Sequence, residues 1–536
     1  MNVEKRYKWT VMVYLAGNNS LSEECVYALT EMTKTDLGDS VAVVAQLNSG
    51  VHDNTMLPIR RGMTPEDVHK ELNEALSKKE AAEKAARNLG PRKGGSTTAD
   101  QLEGKARLSY QDEIFDFVRD CIGETGIYRA DHYMLVLSGH GSGTVGDFLR
   151  GEETSRRKAL NVINLGQLIK RINRDLLDKK RLDILGLDSC LMSMTEIAYI
   201  IHKHVKVMIG AEGFEPMAGW PYAQVLERVR ERGNDVRALA KNIVCDYIKH
   251  YTVYQAANVS VDQAACDLEE CVLLMKAIRS LADTLMRHLP DPKAGDPHVR
   301  NAILLSHWEA QLYKNEQYTD LYDFCTLLKS KFRKGDHDAV RTACQNVLNA
   351  ILGVEKEQEA EGKEWDAQLA DDDFRAKWRN DAEPGGKELR ESKERWMAPV
   401  NFRKAKGFIL KSCYSGWTVQ YSYGVSIYFP WSEVPADMKA YQQLYFARDS
   451  GWADFLKAYL AATKRAPRTG KPETTCFADK MLRQQFDVVS GSGFALPGHR
   501  NADPNRNADP NRSLRNLIGS MKNPPTDFHE CDCHDD

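Results

Sequence analysis

The first 260 residues alternate short apolar runs with amphipathic stretches, and this alternation restricts the fold more than any other feature of the chain. Parallel strands that are covered by helices on both faces read as continuous apolar runs. Runs of this kind occupy residues 9–16, 41–48, 133–138, 182–188 and 205–212. Helical patterns follow most of them, at residues 20–32, 109–121, 165–177, 194–201 and 222–251. The sequence therefore predicts an α/β fold, with a mostly parallel sheet sandwiched by helices in a core of residues 1–260.

The rest of the chain divides into three further parts. Residues 261–400 are mostly charged helical sequence without strand alternation, which predicts a helical insertion. Strand patterns return within residues 401–463 and are followed by helical patterns, so this part is expected to add edge strands and closing helices to the core. Residues 464–536 are rich in Pro, Asn and Arg and contain NADPNR twice, which indicates a disordered, low-complexity tail.

Composition excludes several classes of protein. The chain has 536 residues and a formal net charge of -3, so overall charge does not favour nucleic acid or an anionic membrane as partner. No run reaches the roughly 18 apolar residues that a spanning helix needs, and the first residues do not form a signal peptide. The 12 cysteines are scattered along a large chain, which is typical of reduced thiols. We therefore expect a cytoplasmic protein, and a monomer.

The segment YMLVLSGHGSGTVG (133–146) contains G-x-G-x-x-G directly after an apolar run, as dinucleotide-binding loops do. Such a loop works only where a helix begins on it, because the helix N-terminus binds the pyrophosphate. The residues after Gly146 lack helical periodicity, and the next apolar run begins about 40 residues later. Nucleotide binding through GSGTVG is therefore kept only as an alternative.

His140 in the same segment suggests different chemistry. His140 follows the apolar run 133–138, and Cys190 follows the run 182–188. Catalytic groups gather at the carboxyl ends of parallel strands, and neighbouring strands lie about 4.8 Å apart. A thiol and an imidazole in one crevice are what a cysteine peptidase requires. We predict Cys190 as nucleophile, His140 as proton-transfer group, and the backbone N–H groups of Gly141 and Cys190 as oxyanion hole. For Cys190 alone, the alternative is a small buried hydrophobe.

Further segments support this interpretation through their order along the chain. They are WTVMVYLAGNNSLS near the start, LSGHGSG around His140, LDSCLMSMTEIAY around Cys190, then AEGFEPMAGWPY and GVSIYFP. Together they resemble the clostripain family of cysteine peptidases, which belongs with caspases, legumain, gingipains and separase. The resemblance covers residues 9–222 and 407–460. It implies a caspase-like fold and peptide-bond hydrolysis by a His140–Cys190 dyad.

The resemblance also implies a substrate. Asp188 lies two residues before Cys190 and so faces the same side of its strand. In the family the matching acid lines the pocket for the residue before the scissile bond, which implies protein or peptide substrates cleaved after Arg and secondarily Lys. Arginine can pair with a carboxylate through two parallel hydrogen bonds, whereas lysine is a point charge. The alternative role for Asp188 is an internal salt bridge.

The pocket departs from the family at one position. Many relatives carry a further acid near the position of Ala218, where this chain has alanine. Glu212 and Glu215 could substitute for that acid, but the sequence does not indicate where their carboxyl groups point. Trp220 is a candidate wall of the substrate cleft, and its alternative is a place in the core.

Three further expectations follow from the resemblance. Relatives commonly mature by cutting themselves after a basic residue between the dyad residues, which points to Arg157 or Lys158. The alternative is that this segment is a solvated charged loop.

Some relatives depend on calcium, so calcium remains a possible cofactor. No other cofactor and no metal site is expected. Relatives are often exported, so secretion stays open beside the cytoplasmic expectation.

A noncatalytic member of the family is the main competing function. It would be a caspase-like scaffold that binds basic peptides through the same pocket. A binding module has no need of both a thiol and an imidazole at the strand ends. The presence of both His140 and Cys190 therefore favours the enzyme.

Overall fold

The computed structural model describes residues 7–49, 54–88, 109–149, 151, 159–254, 259–289, 297–314, 316–353, 407–432 and 434–463. The predicted tail and much of the predicted insertion lie outside these residues. The strands are β1 Tyr7–Gly17, β2 Val41–Ser49, β3 Thr55–Ile59, β4 Ala130–Ser138, β5 Leu182–Asp188, β6 Val205–Gly210, β7 Val261–Asp267, β8 Leu312–Tyr313, β9 Tyr318–Asp320, β10 Ile409–Ser415 and β11 Ser426–Tyr428.

Helices separate most of these strands. In the described part of the chain they are α1 Ser22–Met32, α2 Pro65–Asn88, α3 Tyr110–Ile122, α4 Val162–Asp175, α5 Thr195–Ile201, α6 Tyr222–Arg232, α7 Val236–Thr252, α8 Cys271–Met286, α9 Pro297–Glu309, α10 Leu321–Ser330, α11 Asp338–Leu352, α12 Pro435–Tyr441, α13 Tyr445–Asp449 and α14 Trp452–Thr463. None of these described helices is long and apolar enough to cross a membrane.

The main sheet has eight strands in the order β10-β7-β6-β5-β4-β1-β2-β3. The strands from β6 to β2 run parallel, and β3, β7 and β10 are antiparallel to their neighbours. Side chains alternate along each strand, so Tyr14 of β1 packs into one core cluster and Val13 into the other. The predicted mostly parallel sheet with helices on both faces is confirmed.

The sequence patterns missed some elements of this sheet. β7 lies in the range predicted as helical insertion, yet it pairs with β6 and β10. Among its buried polar side chains, Asp262 accepts hydrogen bonds from the backbone N–H groups of Glu212 and Gly213. The predicted helix 222–251 is two helices, because Asp235 caps the start of the second one.

A second sheet has three strands in the order β11-β9-β8. Strand patterns in residues 407–430 were expected to extend the main sheet; β10 does so, whereas β11 pairs with β9 instead. The backbone N–H of Ser426 donates to the carbonyl oxygen of Ser193 at 3.0 Å. The N–H of Tyr428 donates to the Glu196 carboxylate at 2.9 Å. These contacts attach the second sheet to the segment between β5 and β6.

Candidate active site

The segments that carry His140 and Cys190 extend from neighbouring strands. β4 and β5 pair in parallel up to Ser138 and Asp188, so each candidate residue follows its strand end by two positions. Beyond the paired positions, the N–H of Gly139 still donates to the carbonyl oxygen of Asp188 at 3.2 Å. The backbone of both segments therefore leaves the sheet at the same edge, as predicted.

Gly141 brings the histidine loop against the backbone of Cys190. A Cβ atom at position 141 would overlap the carbonyl oxygen of Cys190 and lie 3.1 Å from its nitrogen. Only glycine allows this approach without displacement of one chain. Among the described residues, no backbone carbonyl accepts a hydrogen bond from the N–H of Gly141 or of Cys190. The oxyanion hole formed by the N–H groups of Gly141 and Cys190 stays a prediction.

The His140 ring has a partner that the sequence patterns did not indicate. Its Nε2 lies 3.0 Å from Oγ of Ser20, in the loop after β1. Within the described residues, no hydrogen bond to Nδ1 is found. Desolvation by the surrounding protein lowers the pKa of His140, which favours the neutral ring that can accept a proton.

Cys190 is partly exposed, and its sulfur contacts Glu215. The backbone N–H of Glu215 donates to Sγ at 3.3 Å, and Sγ lies 3.8 Å from the Glu215 carbonyl oxygen. Burial, and after it the nearby Glu215 carboxyl, raises the pKa of the Cys190 thiol to about 12. The resting thiol is therefore neutral, and attack on a carbonyl needs a base to remove its proton.

The backbone turns sharply directly after the thiol. Leu191 has φ of 65°, a left-handed conformation that costs a non-glycine residue roughly 1–2 kcal/mol. A hydrogen bond from its N–H to the carbonyl oxygen of Gly213, at 2.9 Å, holds this conformation. Strain of this kind is concentrated at functional sites, and here it turns the chain directly after Cys190.

Within the described residues, no hydrogen bond joins the His140 ring to Sγ of Cys190. Catalytic hydrogen bonds are often long before substrate binds and shorten in the complex. The two backbones meet at Gly141, while the dyad itself remains a prediction.

Asp188 is buried, with 4% of its surface exposed. Its Oδ2 accepts a hydrogen bond of 2.7 Å from the hydroxyl of Tyr222, and Ser138 also donates to the carboxylate. Burial raises the pKa of Asp188, and these hydrogen bonds oppose that rise. Among the described residues no lysine or arginine forms an ion pair with Asp188. The alternative of an internal salt bridge therefore finds no partner in this part of the chain.

Glu212 and Glu215, the two candidate substitutes for the missing pocket acid, lie in different places. The carboxyl of Glu215 lies against that of Asp188 and accepts a hydrogen bond of 3.0 Å from Nε2 of Gln263. Glu212 lies elsewhere, where its Oε2 accepts the backbone N–H of Gly424 at 2.6 Å. Trp220 is only 2% exposed, so its role as a cleft wall remains a prediction.

The remaining sequence predictions have simpler outcomes. Arg157 and Lys158 lie outside the described residues. No helix occurs in residues 141–149, so the phosphate-binding condition for GSGTVG is not met there. In the described ranges, no group of three or more His, Cys, Asp and Glu side chains is arranged to hold a metal ion, and calcium stays an expectation.

Comparison with known proteins identifies a family. The model of the clostripain family matches residues 117–459. Among solved structures, the chain is similar to a secreted C11 cysteine protease from Bacteroides thetaiotaomicron in complex with an irreversible peptide inhibitor. The two sequences are 15% identical, the TM-score is 0.47, and the match covers 83% of this chain and 99% of that one. An inactive zymogen C11 protease from Parabacteroides distasonis is also 15% identical with a TM-score of 0.43, over 83% and 98%. No curated protein sequence matches the chain. Because the family match includes both His140 and Cys190 and covers most of the sequence, this protein belongs to the clostripain family and is a cysteine peptidase.

Proposed function

We propose that this peptidase is an endopeptidase that cleaves after Arg, and secondarily after Lys, through the dyad of Cys190 and His140. The observation that carries the specificity is Asp188, a buried acid that has no cation partner among the described residues and lies two residues before the nucleophile. An acid in such a place is costly unless a cation neutralises it. A guanidinium from the substrate supplies that cation with matching planar geometry.

The mechanism follows from the neutral resting states of the two groups. His140 takes the thiol proton as Cys190 attacks the scissile carbonyl carbon. The N–H groups of Gly141 and Cys190 donate to the oxyanion of the tetrahedral intermediate. His140 then gives its proton to the leaving amine, which leaves a thioester on Cys190. A water molecule, deprotonated by His140, hydrolyses the thioester and restores the thiol.

We also infer self-processing after Arg157 or Lys158. Phe148 and Leu160 flank this segment and form an isolated antiparallel bridge, in which the N–H of Phe148 donates to the carbonyl oxygen of Leu160 at 2.6 Å. A cut between them would leave both new ends attached to the core by that bridge.

The specificity is tested with fluorogenic peptides that end in Arg, Lys or Asp before the reporter. We expect hydrolysis in the order Arg, Lys and then Asp, with full loss after thiol alkylation or in Cys190→Ala. Binding of basic peptides without any hydrolysis would instead establish the noncatalytic scaffold.

Self-processing is tested on denaturing gels. Purified wild type should run as two fragments and Cys190→Ala as one. Mass spectrometry of the new terminus identifies the cut residue. Intact bands for both proteins would reject the inference.

A further inference from the structure

The hairpin of β8 and β9 contacts the loop that carries His140. The Tyr318 hydroxyl donates to the carbonyl oxygen of Ser142 at 2.7 Å, and the Lys314 side chain donates to the same oxygen at 2.6 Å. Nζ of Lys314 also lies 3.4 Å from the hydroxyl oxygen of Tyr318. Tyr318 is fully buried, so packing holds its hydroxyl in place. Two donors of the second sheet thus meet on one backbone oxygen, two residues after His140.

Two glycines allow the loop to approach this hairpin closely. A Cβ atom at Gly143 would overlap the ring of Tyr318, and Gly143 has φ of 73°, which favours glycine. A Cβ atom at Gly146 would lie 3.2 Å from Nζ of Lys314. The glycines of GSGTVG therefore permit close packing of the loop on Tyr318 and Lys314.

The backbone is held on both sides of His140, so a shift of Ser142 would move the imidazole. Before His140, the N–H of Gly139 donates to the carbonyl oxygen of Asp188 at 3.2 Å. The loop then closes on itself, because the N–H of Leu149 donates to the carbonyl oxygen of His140 at 2.9 Å. The hydrogen bonds on Ser142 complete this support from the side of the second sheet.

The second sheet also contacts the segment that follows the nucleophile. In β11, the N–H of Ser426 donates to the carbonyl oxygen of Ser193, three residues after Cys190, at 3.0 Å. β11 and β9 are paired, with Tyr428 opposite Tyr318. One small sheet therefore holds both the histidine loop and the cysteine segment.

We infer that Tyr318 and Lys314 are positioning residues of this peptidase, and that their hydrogen bonds to Ser142 place the His140 ring relative to Cys190. This inference rests on the proposed function, in which His140 takes the proton of the thiol. Proton transfer requires the two groups within hydrogen-bond reach, so displacement of the loop slows the chemical step. Substrate binding depends on other residues, and KM should change little.

The experiment compares full-length variants on a fluorogenic peptide that the wild type cleaves. Tyr318→Phe keeps the ring against Gly143 and removes the hydroxyl, so kcat should fall about three- to tenfold, the value of one hydrogen bond. Lys314→Met should cause a similar fall. The double variant removes both donors to Ser142 and should lose roughly a hundredfold in kcat. Alkylation of Cys190 by iodoacetamide near neutral pH, which needs no substrate, should slow in parallel.

Tyr441→Phe is the matched control. It removes another buried hydroxyl, which donates to the Glu196 carboxylate at 3.0 Å instead of to the histidine loop. It should lower the melting temperature about as much as Tyr318→Phe does, and it should leave kcat and the alkylation rate unchanged. Equal kcat values for Tyr318→Phe and Tyr441→Phe, with both variants folded, overturn the inference.

His140→Ala separates the inference from the function beneath it. If His140→Ala keeps the kcat of the wild type, the proposed dyad and the inference fall together. If His140→Ala is inactive while Tyr318→Phe/Lys314→Met matches the wild type in kcat, the inference alone falls. Thermal melting of each variant verifies that it is folded.

Discussion

The segment between β6 and α6 contributes to two buried acid pairs, and the pairs differ in what satisfies them. Glu212 pairs with Asp320 of β9. Backbone N–H groups donate to both acids of this pair, because Gly424 donates to Glu212 and Tyr423 donates to Asp320, each at 2.6 Å. Glu215 lies near Asp188, and side chains donate to both acids, Gln263 to Glu215 at 3.0 Å and Tyr222 to Asp188 at 2.7 Å, while the backbone of Trp220 also donates to Asp188.

This difference separates acids that backbone groups hold from acids that side chains mainly hold. Backbone donors join the loop after β6 to the second sheet, so the pair of Glu212 and Asp320 holds two parts of the chain together. Side-chain donors hold Asp188, the acid that meets the substrate guanidinium in the proposed function. Mutation of the first pair should therefore change stability, and mutation of the second should change substrate choice.

The largest effect is expected for Asp188→Asn. This change removes the charge that meets the guanidinium, so kcat/KM for Arg-ended peptides should fall roughly 10²- to 10³-fold, the cost of truncating one partner of a buried charge pair. The free energy of unfolding should not fall, because a buried ionisable group is replaced by a neutral one. Steady-state kinetics and urea unfolding measure the two quantities. An equal loss with Asp-ended peptides would show general damage to the site instead.

Glu212→Ala tests the structural pair. The change leaves the N–H of Gly424 buried without its acceptor, which should lower the free energy of unfolding by about 1–3 kcal/mol. The ratio of Arg to Lys cleavage should stay the same, because Glu212 lies away from the pocket. Urea unfolding gives the first quantity, and paired substrates give the second. Glu212→Gln, which keeps an acceptor for Gly424, is the matched control and should lose less stability.

The pH dependence of folding should follow the structural acids. Burial raises the pKa of Glu196 to about 7, even though the Tyr428 N–H and the Tyr441 hydroxyl donate to it. The folded state then binds a proton more tightly than the unfolded state, so this contribution to stability is complete below about pH 4.5 and is lost as pH rises through 7. Urea unfolding at several pH values should show a decline of roughly 1–3 kcal/mol. In Glu196→Gln, the free energy of unfolding should depend less on pH. If it declines as in wild type, Glu196 is not the source of the pH dependence.

The smallest effect is expected for Ser20→Ala. Loss of the hydrogen bond to Nε2 of His140 should lower kcat/KM about three- to tenfold, the value of a single exposed hydrogen bond. Stability should change by less than about 0.5 kcal/mol. The pH profile of kcat/KM should shift with His140, which a purely structural serine would not cause, and Ser20→Thr should recover much of the activity. A profile identical to wild type would mean that Ser20 does not position the ring.

Part of the site could be predicted because its signals are local. An apolar run followed at once by histidine or by cysteine places each residue at a strand end, and β5 has the predicted bounds of 182–188. The direction of Glu215 had no such signal. Its carboxyl accepts a hydrogen bond from Gln263, which lies in a strand that sequence patterns assigned to helical sequence.

By itself, the sequence determined the parallel core and the two strand ends that carry His140 and Cys190, because apolar periodicity is a property of neighbouring residues. Tertiary structure alone decided that β7 belongs to the main sheet and β11 to the second, and that Ser20 contacts His140. These features depend on hydrogen bonds between residues far apart in the chain, such as Gly424 with Glu212. Only the folded arrangement brings such donors and acceptors together, so no local pattern specifies them.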